Sequence, residues 1–265
     1  MARTRSESIL VRRIGGDDAG RRPDDLVVEE PLAIHLDGTQ ISSTMRTPGH
    51  DFELAAGFCH TEGVLGEAPI LGIRYCGTGS AVETDFNVVT IETGGAAPEP
   101  TPRLGSTSSS CGLCGNDAIG ELTERLRVLP PYDAWDDEFL LALPERLGDA
   151  QELFSLTGAS HAAAAFDRAG NVLVVREDIG RHNAVDKVIG RLLLDDQLGD
   201  ALDLALFVSG RASFEMVQKA WAAGFSALVA VSGASSLATA TARRAGLTLI
   251  GFARDGSGTL YSPAS

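Results

Sequence analysis

The chain has 265 residues, 44% of them hydrophobic, and it carries a formal net charge of −14 at pH 7. This length is sufficient for a full core in one large domain or in two coupled domains. The negative charge disfavours general nucleic-acid binding, which requires many basic side chains against phosphates, although one nucleotide could still bind a local basic pocket. The chain has four cysteines, which are too few for a disulfide scaffold: Cys59, Cys76, Cys111 and Cys114.

Nothing in the sequence indicates export or a membrane span. The first residues include arginines but no apolar segment of a secretory signal, so we expect a cytoplasmic protein. Residues 220–242 carry no charge, but glycines and hydroxyl residues interrupt them, which is typical of buried strands and helices. In a reducing cytoplasm, a close pair of cysteines is more typical of catalysis or metal binding than of a static bridge.

Composition divides the chain into three parts. Residues 1–24 are polar, charged and glycine-rich, which predicts a loose tail. Residues 25–103 predict a smaller β-rich N-terminal subdomain, which begins with a hairpin over residues 26–42 around an Asp-Gly turn. A linker rich in glycine and proline ends this subdomain, and residues 104–265 then form an α/β core.

Other elements follow from spacing. A helix is expected from Asp51, which can cap it, and a strand is expected over residues 81–93. Apolar positions three or four apart predict a helix over residues 116–129, and a second helical stretch is expected around residues 137–155. From His161 to the last main strand, a hairpin and then alternating strands and helices predict a mainly parallel sheet sandwiched by helices.

Polar loops follow three of the predicted strands, where open α/β sheets bind their ligands. Each loop leads into the N-terminus of a helix, where free N–H groups and the helix dipole favour an anion. The alternative is that serines cap helices and the arginines pair with Glu177, Asp178 or Glu215. Three such loops at one edge favour an anionic ligand of nucleotide size, and their candidate residues are Arg181, His182, Ser209, Gly210, Arg211 and Ser232.

The stretch STSSSCGLCGN contains Cys111 and Cys114 at the start of a predicted helix. A thiol at a helix N-terminus has a lowered pKa and is more reactive, so a redox switch or a sulfur carrier is possible. Half of a zinc site and a structured turn are the alternatives, but there is no second cysteine pair to complete a zinc site. Cys59 and Cys76 are interpreted as small apolar core residues. His161 and His182 become candidate site residues together with Cys111.

Several long motifs together resemble the formate dehydrogenase accessory protein family, FdhD. They are TPGHDFELAAGFCHTEG, SSCGLCG, TGASHAAAAFD, REDIGRHNAVDKVIGRLL, SGRASFEMVQKAWAAG and VSGASSLATATARRAGLTLIGFAR. The resemblance covers residues 26–262. It implies a mixed sheet between helices similar to the cytidine deaminase fold, and a protein that acts as a homodimer.

The resemblance also implies a function. A member of this family is a sulfurtransferase that receives sulfur from a cysteine desulfurase as a persulfide. It passes the sulfur to the molybdenum (or tungsten) bis(molybdopterin guanine dinucleotide) cofactor before that cofactor enters formate dehydrogenase. By this resemblance Cys111 is the persulfide carrier, Cys114 is the accessory thiol, and the guanine dinucleotide contacts Phe252, Ala253, Arg254, Asp255, Gly256 and Ser257.

Two other functions remain as alternatives. A non-catalytic chaperone could bind the cofactor or the apo-enzyme through the polar loops alone. A zinc hydrolase of deaminase type would combine an HxE pattern with a PCxxC helix start, but serine stands where that proline would precede Cys111, so no permanent metal is predicted.

Overall fold

Twelve strands form three sheets in the computed structural model, which describes residues 3–16, 19–76, 80–99 and 125–263. The sheets have two, four and six strands. Within the described residues, no helix is long and apolar enough to cross a membrane. The boundaries predicted at residues 24–25 and 103–104 stay predictions, and so does the helix over residues 116–129, most of which lies outside the described part.

The N-terminal residues form an antiparallel ribbon. Strand β1 (Ser6–Arg13) pairs with β2 (Gly20–Val27), with Ser6 opposite Val27 and Arg13 opposite Gly20. The expectation of a loose tail over residues 1–24 is therefore wrong where these strands lie. Most side chains of the ribbon are exposed, so the backbone hydrogen bonds form without the apolar alternation that identifies a strand in a sequence.

The four-stranded sheet contains β3 (Glu30–Leu36), β4 (Thr39–Arg46), β5 (Gly72–Tyr75) and β6 (Val88–Glu92) in the order β4-β3-β6-β5. Asp37 and Gly38 have φ angles of 47° and 87°, the left-handed conformation of a two-residue hairpin turn. The predicted Asp-Gly hairpin is thus confirmed. The predicted strand over residues 81–93 is shortened to β6, because residues 81–86 form turns.

Helix α1 (Asp51–Thr61) covers this sheet. Asp51 does not cap the helix as expected. His50 occupies the N-cap position, while both carboxylate oxygens of Asp51 accept hydrogen bonds of 3.0 Å from the buried Arg46 guanidinium. Burial of the arginine decides this outcome, because a buried guanidinium requires a carboxylate partner more than the helix end requires a cap.

The six-stranded sheet has the order β12-β11-β10-β9-β7-β8. Its strands are β7 (His161–Asp167), β8 (Val172–Asp178), β9 (Leu204–Val208), β10 (Ala227–Ala230), β11 (Thr248–Arg254) and β12 (Ser257–Ser262). The mixed α/β class is confirmed, but the sheet is not mainly parallel. Only the β9–β10 and β10–β11 pairs are parallel, since hairpins join β7 to β8 and β11 to the unpredicted β12.

Helices cover both faces of this sheet, as predicted. One face packs against α5 (Arg181–Leu194), α6 (Phe214–Ala222) and α7 (Ser236–Ala245). The opposite face packs against the segment of α2 (Asp137–Leu141) and α3 (Leu143–Arg146), and α4 (Glu152–Thr157) follows. The helical stretch expected around residues 137–155 is broken into these short pieces, because Pro144 cannot continue a helix and Gly148 has a φ of 47°.

Helices α1 and α5 cross at two glycines. A Cβ atom at Gly57 would lie 1.9 Å from the carbonyl oxygen of Asp186, and one at Gly190 would lie 1.8 Å from that of Glu53. No larger residue fits at either position without moving a backbone. This close contact packs the four-stranded sheet and its helix against the six-stranded core.

Candidate anion-binding site

The start of β7 and the ends of β9, β10 and β11 meet at one edge of the large sheet. Backbone hydrogen bonds connect the loops there: Ser209 N–H donates to Ala162 O (2.9 Å), Ser232 N–H to Gly210 O (3.2 Å) and Phe252 N–H to Ser232 O (3.2 Å). The topology thus brings the candidate residues of three separate loops into one row. This row, which consists of the start of β7 and the loops after β9, β10 and β11, is called the carboxyl edge.

His161 lies beside the loop after β9. A Cβ atom on Gly210 would lie 3.6 Å from His161 Nδ1 and 3.9 Å from the Cδ atom of Arg181, so the absence of a side chain at Gly210 leaves room next to both. Burial lowers the pKa of His161 below its usual 6.5, and the charges of Arg181 and His182 lower it further. The imidazole is therefore neutral at neutral pH and can accept or donate a hydrogen bond.

Three arginines at this edge lack partners. Among the described residues, Arg181, Arg211 and Arg254 form no side-chain hydrogen bond and no ion pair within 4.0 Å. The Nε atom of Arg181 is buried and has no hydrogen-bond partner in the structure. The alternative that these arginines pair with Glu177, Asp178 or Glu215 is therefore wrong for Arg181 and Arg211. Unpaired guanidinium groups are suited to phosphate or carboxylate.

His182 does not point freely into this edge. Its Nε2 atom lies 2.7 Å from Glu215 Oε2, which connects the first turns of α5 and α6. Burial by itself would raise the pKa of Glu215, but the hydrogen bond from His182 and the nearby charges of His182, Arg181 and Lys219 lower it overall. Glu215 therefore stays a carboxylate, and its role is to hold His182.

Serines at the helix starts have different roles. Ser235 caps α7, since its side chain accepts a hydrogen bond from Ala238 N–H. Ser209 Oγ accepts from Ala162 N–H at 2.9 Å and so belongs to the sheet edge. Ser213 occupies the N-cap position of α6, yet its buried Oγ atom has no partner in the structure. Capping thus explains Ser235 but not Ser213.

The segment predicted to contact a guanine dinucleotide is the β11–β12 hairpin. Asp255 and Gly256 form its turn with φ angles of 50° and 67°, and β12 begins at Ser257. Phe252 is 55% exposed and has a φ of 54°, which is uncommon for an aromatic residue. Its ring rests on Gly233, where an added Cβ atom would lie only 2.7 Å from Cζ. The hairpin thus places an exposed aromatic face on the loop after β10, whereas Ala253 is buried.

Glu177 holds the loop before β7. Its carboxylate accepts hydrogen bonds from Leu153 N–H (2.8 Å), Phe154 N–H (2.7 Å) and the Ser160 hydroxyl (2.9 Å). Ser160 directly precedes His161. Glu177 therefore fixes the start of α4 and the approach to His161.

Asp178 holds the loop before α5. It is fully buried and accepts from Gly180 N–H (2.8 Å), Asn183 Nδ2 (3.0 Å), Thr47 N–H (3.1 Å) and Lys187 Nζ (2.7 Å). The sequence prediction did not assign a positioning role to Glu177 or Asp178. Two consecutive acidic residues at the end of a buried strand were the available signal, because such residues must be fully hydrogen-bonded there.

The cysteines divide into two groups. Cys111 and Cys114 lie outside the described residues. Cys59 is a core residue, as predicted, and burial raises the pKa of its thiol. Cys76 is not a core residue, because it is half-buried and its Sγ atom lies 2.7 Å from Arg74 Nη1. The described residues contain no group of three His, Cys, Asp or Glu side chains that could hold a metal ion.

The fold is a mixed α/β architecture whose carboxyl edge carries arginines without partners among the described residues and an exposed aromatic ring. Comparison with known proteins then gives the family: the chain belongs to the FdhD/NarQ family, whose model matches residues 27–265. The resemblance seen in the motifs is confirmed.

Related proteins share most of the chain. A protein of Streptomyces avermitilis named sulfur carrier protein FdhD is 47% identical over an alignment of 267 positions, gaps included, that covers 97% of this chain and 94% of the relative. A protein of the same name from Mycobacterium tuberculosis is 43% identical, with 96% and 95% covered. A crystal structure of a formate dehydrogenase accessory protein from Desulfotalea psychrophila superposes with a TM-score of 0.73 at 25% identity and covers 96% of each chain.

Proposed function

We propose that this protein is a sulfur carrier that takes sulfur from a cysteine desulfurase and delivers it to a guanine dinucleotide molybdenum cofactor. The cofactor is a cargo, and formate dehydrogenase requires it for activity. The carboxyl edge is the observation that supports this best, since it carries three arginines without partners among the described residues and an exposed aromatic ring, in a chain with a net charge of −14. The names of the relatives supply the sulfur chemistry and the link to formate dehydrogenase.

The cargo has two guanosine diphosphate arms, and the edge offers what such an arm needs. Arg181, Arg211 and Arg254 can donate to phosphate oxygens, and the ring of Phe252 can stack against a base. The neutral imidazole of His161 adds a hydrogen-bonding group beside Gly210. Helices α5 and α6 begin at the same edge and contribute the positive ends of their dipoles.

The sulfur steps use Cys111 and Cys114. In loading, the Cys111 thiolate attacks the outer sulfur of the desulfurase persulfide, the S–S bond of the donor breaks, and the electron pair leaves with the donor's thiolate. In delivery, the Cys114 thiol attacks Cys111 Sγ, a Cys111–Cys114 disulfide forms, and the outer sulfur leaves as hydrosulfide. A dithiol reductant then restores both thiols. We place this cycle in the cytoplasm and expect the chain to act as a homodimer.

Intact-protein mass spectrometry tests the carrier role. The chain is incubated with a cysteine desulfurase and cysteine, and wild type is compared with Cys111→Ala and Cys114→Ala before and after a reductant. We expect a reducible gain of about 32 Da, one sulfur atom, in wild type and in Cys114→Ala but not in Cys111→Ala.

Two other results would change the conclusion. No added sulfur on wild type, with a desulfurase that is active in the same tube, would favour a chaperone that only binds the cofactor. Added sulfur that persists in Cys111→Ala would move the carrier to another cysteine. Calorimetry with guanosine diphosphate tests the nucleotide part separately, and we expect saturable binding to the wild-type chain.

A further inference from the structure

Thr47, which lies between β4 and α1, contacts the residues that precede Arg181 and the helix that Arg181 begins. Thr47 is fully buried, and all three of its polar groups bond to the segment around the start of α5. Its N–H donates to Asp178 Oδ2 (3.1 Å), its hydroxyl accepts from Ile179 N–H (3.1 Å), and its carbonyl accepts from Lys187 Nζ (2.9 Å).

Residues 178–180 connect β8 to α5, and the first residue of that helix is Arg181. Among the described residues, the Arg181 side chain has no bond that holds it, and its buried Nε atom has no partner there. Its direction therefore depends on the backbone of the loop before it. Thr47 supplies the partner for Ile179 N–H, the last amide but one before Arg181.

Residues at the end of β4 contact the other side of Arg181. Asn183 Nδ2 donates to Met45 O at 2.8 Å, and Thr44 Oγ1 lies 3.4 Å from Asn183 Oδ1. The end of β4 and the turn after it thus contact residues on both sides of Arg181. The four-stranded sheet, which lies outside the nucleotide site, is in this way connected directly to it.

We infer that Thr47 is a positioning residue for nucleotide binding, because it fixes the loop that directs Arg181 toward a phosphate. The inference rests on the proposed function, since the ligand is the same guanosine diphosphate arm. It extends that function to a residue that contacts no ligand and belongs to the N-terminal part of the chain.

Isothermal titration of the full chain with guanosine diphosphate tests the role of Thr47. Thr47→Val keeps the shape of the side chain but leaves Ile179 N–H unpartnered, while Thr47→Ser keeps the hydroxyl. We expect the Kd of Thr47→Val to rise about tenfold, as for one lost hydrogen bond, and Thr47→Ser to bind nearly as wild type does.

Thr93→Val is the matched control. Thr93 is a buried threonine of the same N-terminal part whose hydroxyl bonds to Asp37, far along the chain from the loop before α5. Thr93→Val removes the hydrogen bond that this hydroxyl donates to Asp37 and the one that it accepts from Ala97 N–H, so it disturbs the fold at least as much as Thr47→Val. It should lower the melting temperature without changing the Kd. An equal loss of affinity in Thr93→Val would overturn the inference, because general destabilisation would then explain both results.

A double-mutant cycle with Arg181→Ala shows whether Thr47 acts through Arg181. If it does, Thr47→Val should weaken binding much less in the Arg181→Ala background than in wild type. Equal effects in both backgrounds, or a Thr47→Val protein that is folded and binds like wild type, would overturn the inference alone. Absence of nucleotide binding by wild type would instead overturn the proposed nucleotide function and this inference with it.

Discussion

Two groups of charged side chains in this protein differ in whether they have partners. One group lies in the contact region, where α1 packs against α5 and α6, and the other group lies at the carboxyl edge. In the contact region Arg46 pairs with Asp51, Lys187 with Asp178, and Lys219 with Asp186, at distances between 2.7 and 3.0 Å, and all six side chains are at most 5% exposed. At the carboxyl edge, Arg181, Arg211 and Arg254 have no such partner within the described part of the chain.

The paired charges of the contact region stabilise the fold, whereas the arginines of the carboxyl edge are available to bind a ligand. A buried ion needs a partner to compensate for the loss of water, so the contact region is closed and complete. A guanidinium beside solvent can remain unpaired at little cost, and it then keeps its hydrogen-bond donors for an external anion. The presence or absence of a partner is therefore more informative about function than the residue type.

The largest effect should follow from removing one member of a buried pair. Lys219 Nζ donates to both oxygens of Asp186, at 2.9 and 2.8 Å, and to the Thr61 hydroxyl. Lys219→Met leaves the Asp186 carboxylate buried without its cation, and we expect a loss of about 3–5 kcal/mol in the free energy of unfolding by urea.

The double variant Asp186→Leu, Lys219→Met is the control for that prediction. It removes both charges of this pair, and only Glu62, 3.4 Å from Lys219 Nζ and 13% exposed, still loses its ion pair with Lys219, so the double variant should recover most of the lost stability. If the single variant were as stable as wild type, the paired charges of the contact region would not be required by the fold.

A smaller loss of folding stability is expected when the pH is lowered. Hydrogen bonds from Arg176 and His50 outweigh the opposing effect of burial and lower the pKa of Glu53 from 4.5 to about 2. A carboxyl whose folded-state pKa is depressed stabilises the protein above its unfolded pKa, and this stabilisation is lost as the pH falls through the folded value. Wild type should therefore lose stability between pH 4.5 and about 2.

Glu53→Gln tests the assignment of this loss. The amide cannot titrate, so the free energy of unfolding of the variant should fall less steeply over the same acid range, measured by urea denaturation at several pH values. Identical acid slopes in the two proteins would show that Glu53 is not the group responsible.

The smallest effect on stability should come from the carboxyl edge. Arg211→Ala and Arg254→Ala remove exposed, unpaired side chains, so we expect changes within about 0.5 kcal/mol in the free energy of unfolding. Binding of guanosine diphosphate should nevertheless weaken, and its dependence on salt should become shallower, because fewer cations face the phosphates.

Arg12→Ala is the matched control for those variants, because Arg12 is an exposed arginine on the β1–β2 ribbon. It should change neither stability nor nucleotide affinity. If Arg12→Ala weakened binding as much as Arg211→Ala, the effect would reflect the net charge of the chain and not the site.

The sequence motifs and the spacing of apolar residues predicted many of the strands, helices and loops around the candidate site. Ser209 and Ser232 were assigned to one edge from the order of strands and helices, whereas Phe252 came from the family resemblance and His161 was a candidate only together with Cys111. Backbone hydrogen bonds place the loops of Ser209, Ser232 and Phe252 side by side, next to the start of β7. The prediction succeeded because strand ends, glycines and helix starts are local features. It failed for the ribbon of residues 6–27, where exposed polar side chains hide the strands.

The sequence by itself determined the family, the mixed α/β class and the row of loops, because these depend on local patterns and on long motifs. The tertiary structure decided which charges have partners. Arg181 and Lys187 lie six positions apart in one helix, yet Lys187 is paired with Asp178 and Thr47 while Arg181 is not. Pairing depends on residues more than a hundred positions away, such as Thr47, and only the packing of α1 against α5 brings them together.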